Sequence, residues 1–77
     1  MSHADIGTRM RSLRREAGFT LEDVAGRMGM TPQMVMQIER GTKQLSLLNA
    51  AKLADMFGCK IEDILPEVPY ERETGNA

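Results

Sequence analysis

The chain has little of the chemistry that enzymes and exported proteins rely on. It is 77 residues long. Its only cysteine, Cys59, has no intrachain partner, so nothing in the sequence asks for an oxidising compartment. Its only histidine, His3, stands close to the N-terminus, and a frayed terminus is no place for acid–base work. No apolar run approaches the roughly 20 residues of a membrane span. The opening MSHADIGTRM lacks the apolar stretch of a signal peptide. There is no metal-ligand spacing, no phosphate-cradling glycine loop and no nucleophile motif, so the expectation is a non-enzymatic chain without cofactor or metal. No strand-like alternation or internal repeat occurs. A cytoplasmic location is the default.

What is present is a single small domain's worth of helix punctuation. So short a chain buries little core and needs good helix packing or a partner subunit. The net charge of −1 hides an uneven distribution. Residues 6–60 carry nine Lys/Arg against five Asp/Glu, a net of +4. Residues 61–77 carry Arg72 against five Asp/Glu, a net of −4. A basic body with an acidic tail suits an anionic polymer, although ordinary surface charge would look the same.

Glycines divide the body into segments. Ile6, Met10, Leu13 and Ala17 share one helical face before Gly18. Thr20, with Asp23 three residues on, opens a second helix whose stripe is Val24, Ala25 and Met28, closed by Gly29. Thr31 and Pro32 open a third, closed by Gly41. Ser46 caps a fourth, with Leu47, Ala50, Leu53, Ala54 and Phe57 inward and Gly58 as its stop. IEDIL (61–65) is expected to form a short fifth helix before Pro66. The expected organisation is a flexible segment over 1–5, a helical domain over 6–65 and an acidic C-terminal tail over 66–77.

The order from Leu21 follows a helix–turn–helix grammar. Ala25 leaves room for a crossing of the second helix over the first. Gly29 permits a tight turn with positive φ. Met30 seals the turn, and Val35 and Ile38 face the core.

Two stretches, IGTRMRSLRREAGFTLEDVAGRMGMTPQMVMQIERG and SLLNAAKLADMFGCKIEDIL, carry a family likeness. Over residues 6–65 the chain resembles the Cro/phage-repressor-like, or Xre, DNA-binding domains. The resemblance implies an all-α, five-helix lambda-repressor-like bundle, usually dimeric, that represses or activates transcription at short operators on double-stranded DNA. It also implies that positions matching Gln33, Met34 and Gln37 meet base edges, and that Arg14 and Glu39 pair to tie helix one to helix three. Many family members have glutamine where this chain has Leu21, a departure that removes one expected phosphate or base contact.

Helical geometry gives the third helix a direction. At about 100° per residue, Val35 and Ile38 set the inward side. Gln33, Gln37 and Arg40 then point outward, with Met36 at their edge and Met34 and Glu39 on the flanks. Glutamine can bond adenine N6 and N7 bidentately, and an apolar side chain can touch a thymine methyl. Gln33, Met34, Met36 and Gln37 are therefore the base-contact candidates. The bland alternative is a solvated face, with methionine as a flexible gap-filler. Phosphate contacts should flank this helix. Their candidates are Thr20 at a helix N-terminus, Arg11 and Arg15 on the outer face of helix one, and Arg40, Thr42 and Lys43.

A surplus of hydrophobes in the C-terminal third points to a two-fold dimer through Phe57, Ile61, Ile64 and Leu65, with Leu48, Val68 and Tyr70 adding to it. RNA polymerase or another regulator could be a further partner. A rival reading is a protein-interaction module, antiactivator-like or antitoxin-like, that keeps the fold without binding DNA. The low overall pI, the methionines, Leu21 and the acidic tail support that rival.

Overall fold

The computed structural model describes residues 2–66. Four α-helices follow one another: α1 (His3–Glu16), α2 (Leu21–Met28), α3 (Pro32–Arg40) and α4 (Leu47–Phe57). A single 3-10 turn, Ile61–Asp63, follows α4. No strand occurs among the described residues. The fold is all-α, as expected, but the expected five-helix count is not met.

The start of each helix is set by a side-chain cap that satisfies an otherwise orphaned N–H. The hydroxyls of Thr20, Thr31 and Ser46 accept from the backbone N–H of Asp23, Met34 and Asn49. Thr20 and Asp23 complete a reciprocal box, because the Asp23 carboxylate accepts from the Thr20 N–H at 2.9 Å. The ends of α2, α3 and α4 are set by Gly29, Gly41 and Gly58 in the left-handed region.

The boundary at the N-terminus differs from expectation. Ser2 and Asp5 form the same reciprocal box as Thr20 and Asp23, so α1 begins at His3 and residues 3–5 are helical. A start at Ile6 follows from the apolar stripe alone and overlooks this polar signature. At the other end of α1, Ala17 lies beyond the last helical residue and is exposed, not part of the inner face.

The C-terminal difference is one of length. Between Gly58 and Pro66 the chain has room for one turn. An α-helix gains little from so few propagating bonds. Asp63 and Ile64 therefore donate to the carbonyls of Lys60 and Ile61 in i→i+3 fashion, both at 3.0 Å. The expected helix over 61–65 is this turn.

The core joins all of these elements: Met10 from α1, Val24 and Ala25 from α2, Val35 and Ile38 from α3, and Ala50, Leu53 and Ala54 from α4. Leu45 and Ile64 close it from the connecting segments. Each Val, Leu, Ile or Met side chain so buried contributes on the order of 1.5–3 kcal/mol, and each alanine methyl less. The tight crossing is α1 on α3, not α2 on α1 at Ala25. Gly7 meets the backbone carbonyls of Ile38 and Glu39, where any Cβ would overlap them. Gly41 adds a second close approach: a Cβ there would lie 2.6 Å from Ala4 Cα. Two glycines thus let the first helix press directly on the end of α3.

Candidate nucleic-acid interface

The third helix is held in place from behind. Arg14 and Glu39 are both buried, at 7% and 8% exposure. Arg14 Nε donates to Glu39 Oε2 at 2.6 Å and Nη2 to Oε1 at 3.2 Å. The remaining Nη1 donates to the Phe19 carbonyl at 2.8 Å. The guanidinium thereby ties α1, the α1–α2 connection and α3 together. A buried ion pair is tolerable when its remaining polar atoms are satisfied. No buried side-chain N or O lacks a partner among the described residues.

The outer side of α3 carries Gln33 and Arg40, both exposed, with Gln37 half-buried. Met34 and Met36 are also half-buried. Every other half-buried large apolar side chain among the described residues packs against the core; these two do not.

Beside Met36 lies a concavity of about 160 Å³. Its walls are Arg11 and Arg15 from α1, Leu21 from the start of α2, and Met36 and Arg40 from α3, with the Arg14–Glu39 pair also lining it. Three arginines not engaged in that pair thus line one concavity beside α3, two from α1 and one from α3 itself. Of the phosphate candidates, this groups Arg11, Arg15 and Arg40. Lys43 stands exposed on the segment after α3.

The two threonines are less free. The Thr42 hydroxyl donates to the Gln37 carbonyl at 3.1 Å, and the Thr42 N–H donates to the same oxygen. That proton closes the end of α3, so Thr42 is not placed as a phosphate donor. A phosphate contact from Thr42 would have to displace this bond. Thr20 spends its N–H on Asp23 and its hydroxyl oxygen on the Asp23 N–H, and its hydroxyl proton is shared with the Asp23 carboxylate. Glu22 and Asp23 also place acid in the first turn of α2. The Thr20 backbone N–H, then its hydroxyl, hold the Asp23 carboxyl below its ordinary range.

The expected dimer surface is rearranged. Ile64 is 0% exposed and belongs to the chain's own core, so it cannot meet a partner. Phe57 packs against Phe19, ring centroids 6.0 Å apart, and Ile61 and Leu65 are half-buried against the core. Among the described residues the exposed large hydrophobes are Leu47 at 39% and Leu48 at 65%, on the first turn of α4. Leu47 therefore does not face inward, as its helical register suggests. Val68 and Tyr70 lie outside the described residues.

Cys59 is half-buried, and burial, then the nearby Asp63 carboxylate, push its thiol above the usual range, the reverse of an activated nucleophile. Among the described residues no cluster of His, Cys, Asp or Glu could hold a metal, and no helix is long and apolar enough to cross a membrane.

Three interactions went unread in the sequence. Gly7 carries the α1–α3 approach; a glycine near the inner stripe of α1 was the available signal. Arg9 donates to the Asp63 carbonyl at 2.9 Å, anchoring the 3-10 turn to α1. The Arg27 guanidinium lies 4.9 Å from the Phe19 ring centre. The last two have no local pattern that would announce them.

A model of the helix-turn-helix family matches residues 10–64. The chain is a member of the Xre-like helix-turn-helix family. It is 34% identical over 62 residues to the HTH-type transcriptional regulator DdrOP3 of Deinococcus deserti, covering 80% of this chain and 48% of that protein. The chain thus spans about half the length of that relative. It is 32% identical to the HTH-type transcriptional regulator y4dJ of Sinorhizobium fredii, over 84% of this chain and 88% of the relative. Among solved structures, it resembles the restriction-modification controller protein C.AhdI from Aeromonas hydrophila. There the TM-score is 0.74 at 31% identity, with 80% of this chain and 94% of that one covered. The clp gene regulator ClgR from Corynebacterium glutamicum gives a TM-score of 0.75 at 28% identity, covering 82% of each chain. The helix-turn-helix proteins it resembles are thus transcriptional regulators.

Proposed function

We propose that this chain is a cytoplasmic, sequence-specific DNA-binding transcriptional regulator. It lays α3 in the major groove of a short palindromic operator and binds as a homodimer. The observation that carries the reading is one concavity lined by Arg11, Arg15 and Arg40 beside a helix whose outer side is Gln33 and Gln37. Guanidiniums suit phosphate, and the amides suit base edges. In this reading Gln33, Gln37, Met34 and Met36 read bases. Arg11, Arg15, Arg40 and Lys43 hold phosphates, with the Thr20 hydroxyl proton as a lesser donor. Arg14 and Glu39 fix the angle of α3 and touch no DNA.

Leu47 and Leu48, exposed on the first turn of α4, form the surface assigned to the two-fold partner. The exposure of Leu48 also favours a second reading, a protein-interaction module of the same fold, with polymerase or another regulator as its target. A gel-shift series on the DNA upstream of its own gene separates the two. The regulator reading expects a shift whose affinity falls steeply with salt. It also expects neutralising Arg40 or Lys43 to flatten the log–log salt slope by about one unit. No shift at any salt, together with stable capture of a protein through Leu47 and Leu48, would establish the rival.

A further inference from the structure

The arginine-rimmed concavity beside α3 has an apolar element that phosphate binding does not use. Leu21 and Met36 both line it, from the start of α2 and the middle of α3. Met36 is half-buried without packing on the core and lines the concavity, so part of its apolar surface faces that space. An apolar side chain set among three guanidiniums is poorly placed for water and well placed for an apolar group attached to an anionic polymer.

Resting on the DNA-binding reading above, we propose that Leu21 and Met36 form a notch that takes the 5-methyl group of one thymine in each half-site. The thymine would be the one whose own strand is gripped by Arg11 and Arg15. The geometry carries this in three steps. Relative to Val35 and Ile38, Met36 projects toward the flank of α3 that bears Glu39 and faces α1, while Gln33 and Arg40 project straight outward. That flank faces Arg11 and Arg15, which makes it the side nearest one sugar–phosphate wall of the groove. In the major groove the one apolar group a base presents is the thymine 5-methyl, and it sits on the edge nearest its own strand's backbone. A side chain on this flank therefore meets a methyl before it meets the hydrogen-bonding groups at the centre of the pair. Leu21, lining the same concavity, would close the far side of the notch. The notch makes the chain prefer T over C at that position without any hydrogen bond.

The test leaves every hydrogen bond in the DNA intact. DNA selected from a random pool on the full-length protein supplies the site. Each thymine is then replaced singly by deoxyuridine, and affinity is measured for wild type, Met36→Ala and Leu21→Ala. Circular dichroism confirms that each variant is folded. The expected result is one position per half-site where losing the methyl weakens wild-type binding about fourfold, the worth of one buried carbon at ~0.8 kcal/mol. Met36→Ala should bind the thymine and uracil forms within about 1.5-fold, and Leu21→Ala should show an intermediate loss, the signature of coupled groups. Equal wild-type affinity for thymine and uracil at every position would overturn the notch and leave the regulator reading standing. So would methyl sensitivity that persists undiminished in both variants. Failure to select any DNA would overturn the regulator reading and the notch with it.

Discussion

The α1–α3 half of the molecule and its C-terminal third are built on different terms. In the first, apolar burial is supplemented by directed polar interactions: the Arg14–Glu39 pair, the Phe19 carbonyl bond and reciprocal caps at Ser2 and Thr20. In the second, α4 and the 3-10 turn rest mainly on apolar contacts, with Ile64 as the plug and the Arg9–Asp63 carbonyl bond as the tie to α1. Directed bonds fix angles, and the angle of α3 is what DNA reading depends on. Apolar packing fixes proximity, which suffices for a support that also exposes Leu47 and Leu48.

That contrast can be broken at its strongest points. Ile64→Asp should be the most damaging change, because it both empties a fully buried site and leaves an unpaired charge there. A loss of roughly 5 kcal/mol, enough to unfold a domain this small, is expected in urea titration. Leu48→Asp is its control on the same third of the chain. It should leave stability within about 0.5 kcal/mol, as surface changes do, while lowering the mass seen by light scattering. A folded Ile64→Asp would mean that the turn is not part of the core.

Next comes Glu39→Ala, which leaves the Arg14 guanidinium buried without its carboxylate. A cost of about 3–5 kcal/mol is expected in the same titration. DNA affinity measured at low temperature, where the variant is still folded, should fall more on the cognate site than on random DNA, because α3 loses its set angle while the arginines beside it still grip. Equal losses on both DNAs would show that the pair does not set the angle at which α3 reads bases.

The smallest effect belongs to the cap of α2. Thr20→Ala should cost about 1 kcal/mol. Asp23 makes this cap pH-dependent. Its carboxyl is held below its ordinary value of 3.8 by the Thr20 N–H. A group whose folded pKa is depressed adds stability that is present above the unfolded value and is lost as pH falls through the folded one. The increment should therefore fade below about pH 4 and be absent in Asp23→Asn, which acid titration of thermal unfolding can follow.

The same contrast explains how much of the molecule could be read from its sequence. The α2–turn–α3 segment was legible to the residue, because Thr20, Gly29, Thr31, Pro32 and Gly41 each act on their immediate neighbours. The outward placement of Gln33 and Arg40 follows from periodicity alone, while Gln37 is half-buried. The start of α1 was missed only because the polar box at Ser2 and Asp5 precedes the apolar stripe. What could not be read was long-range. That Gly7 would meet the Glu39 carbonyl, or that Leu21 and Met36 would share a concavity, depends on how helices cross. Whether Ile64 faces a partner or its own core depends on how far a single turn folds back. The hydroxyl of Thr42 serves the backbone of α3, a local bond that competes with any ligand and that the sequence does not announce.

The central claim is that α3 reads sequence while the arginines beside it only grip. Binding of wild type, Gln33→Ala and Gln37→Ala to the selected site and to random DNA, at one fixed salt concentration, tests it most directly. Each variant should lose about 1–3 kcal/mol on the selected site and almost nothing on random DNA. Equal losses on both DNAs would contradict the account and make α3 a backbone clamp.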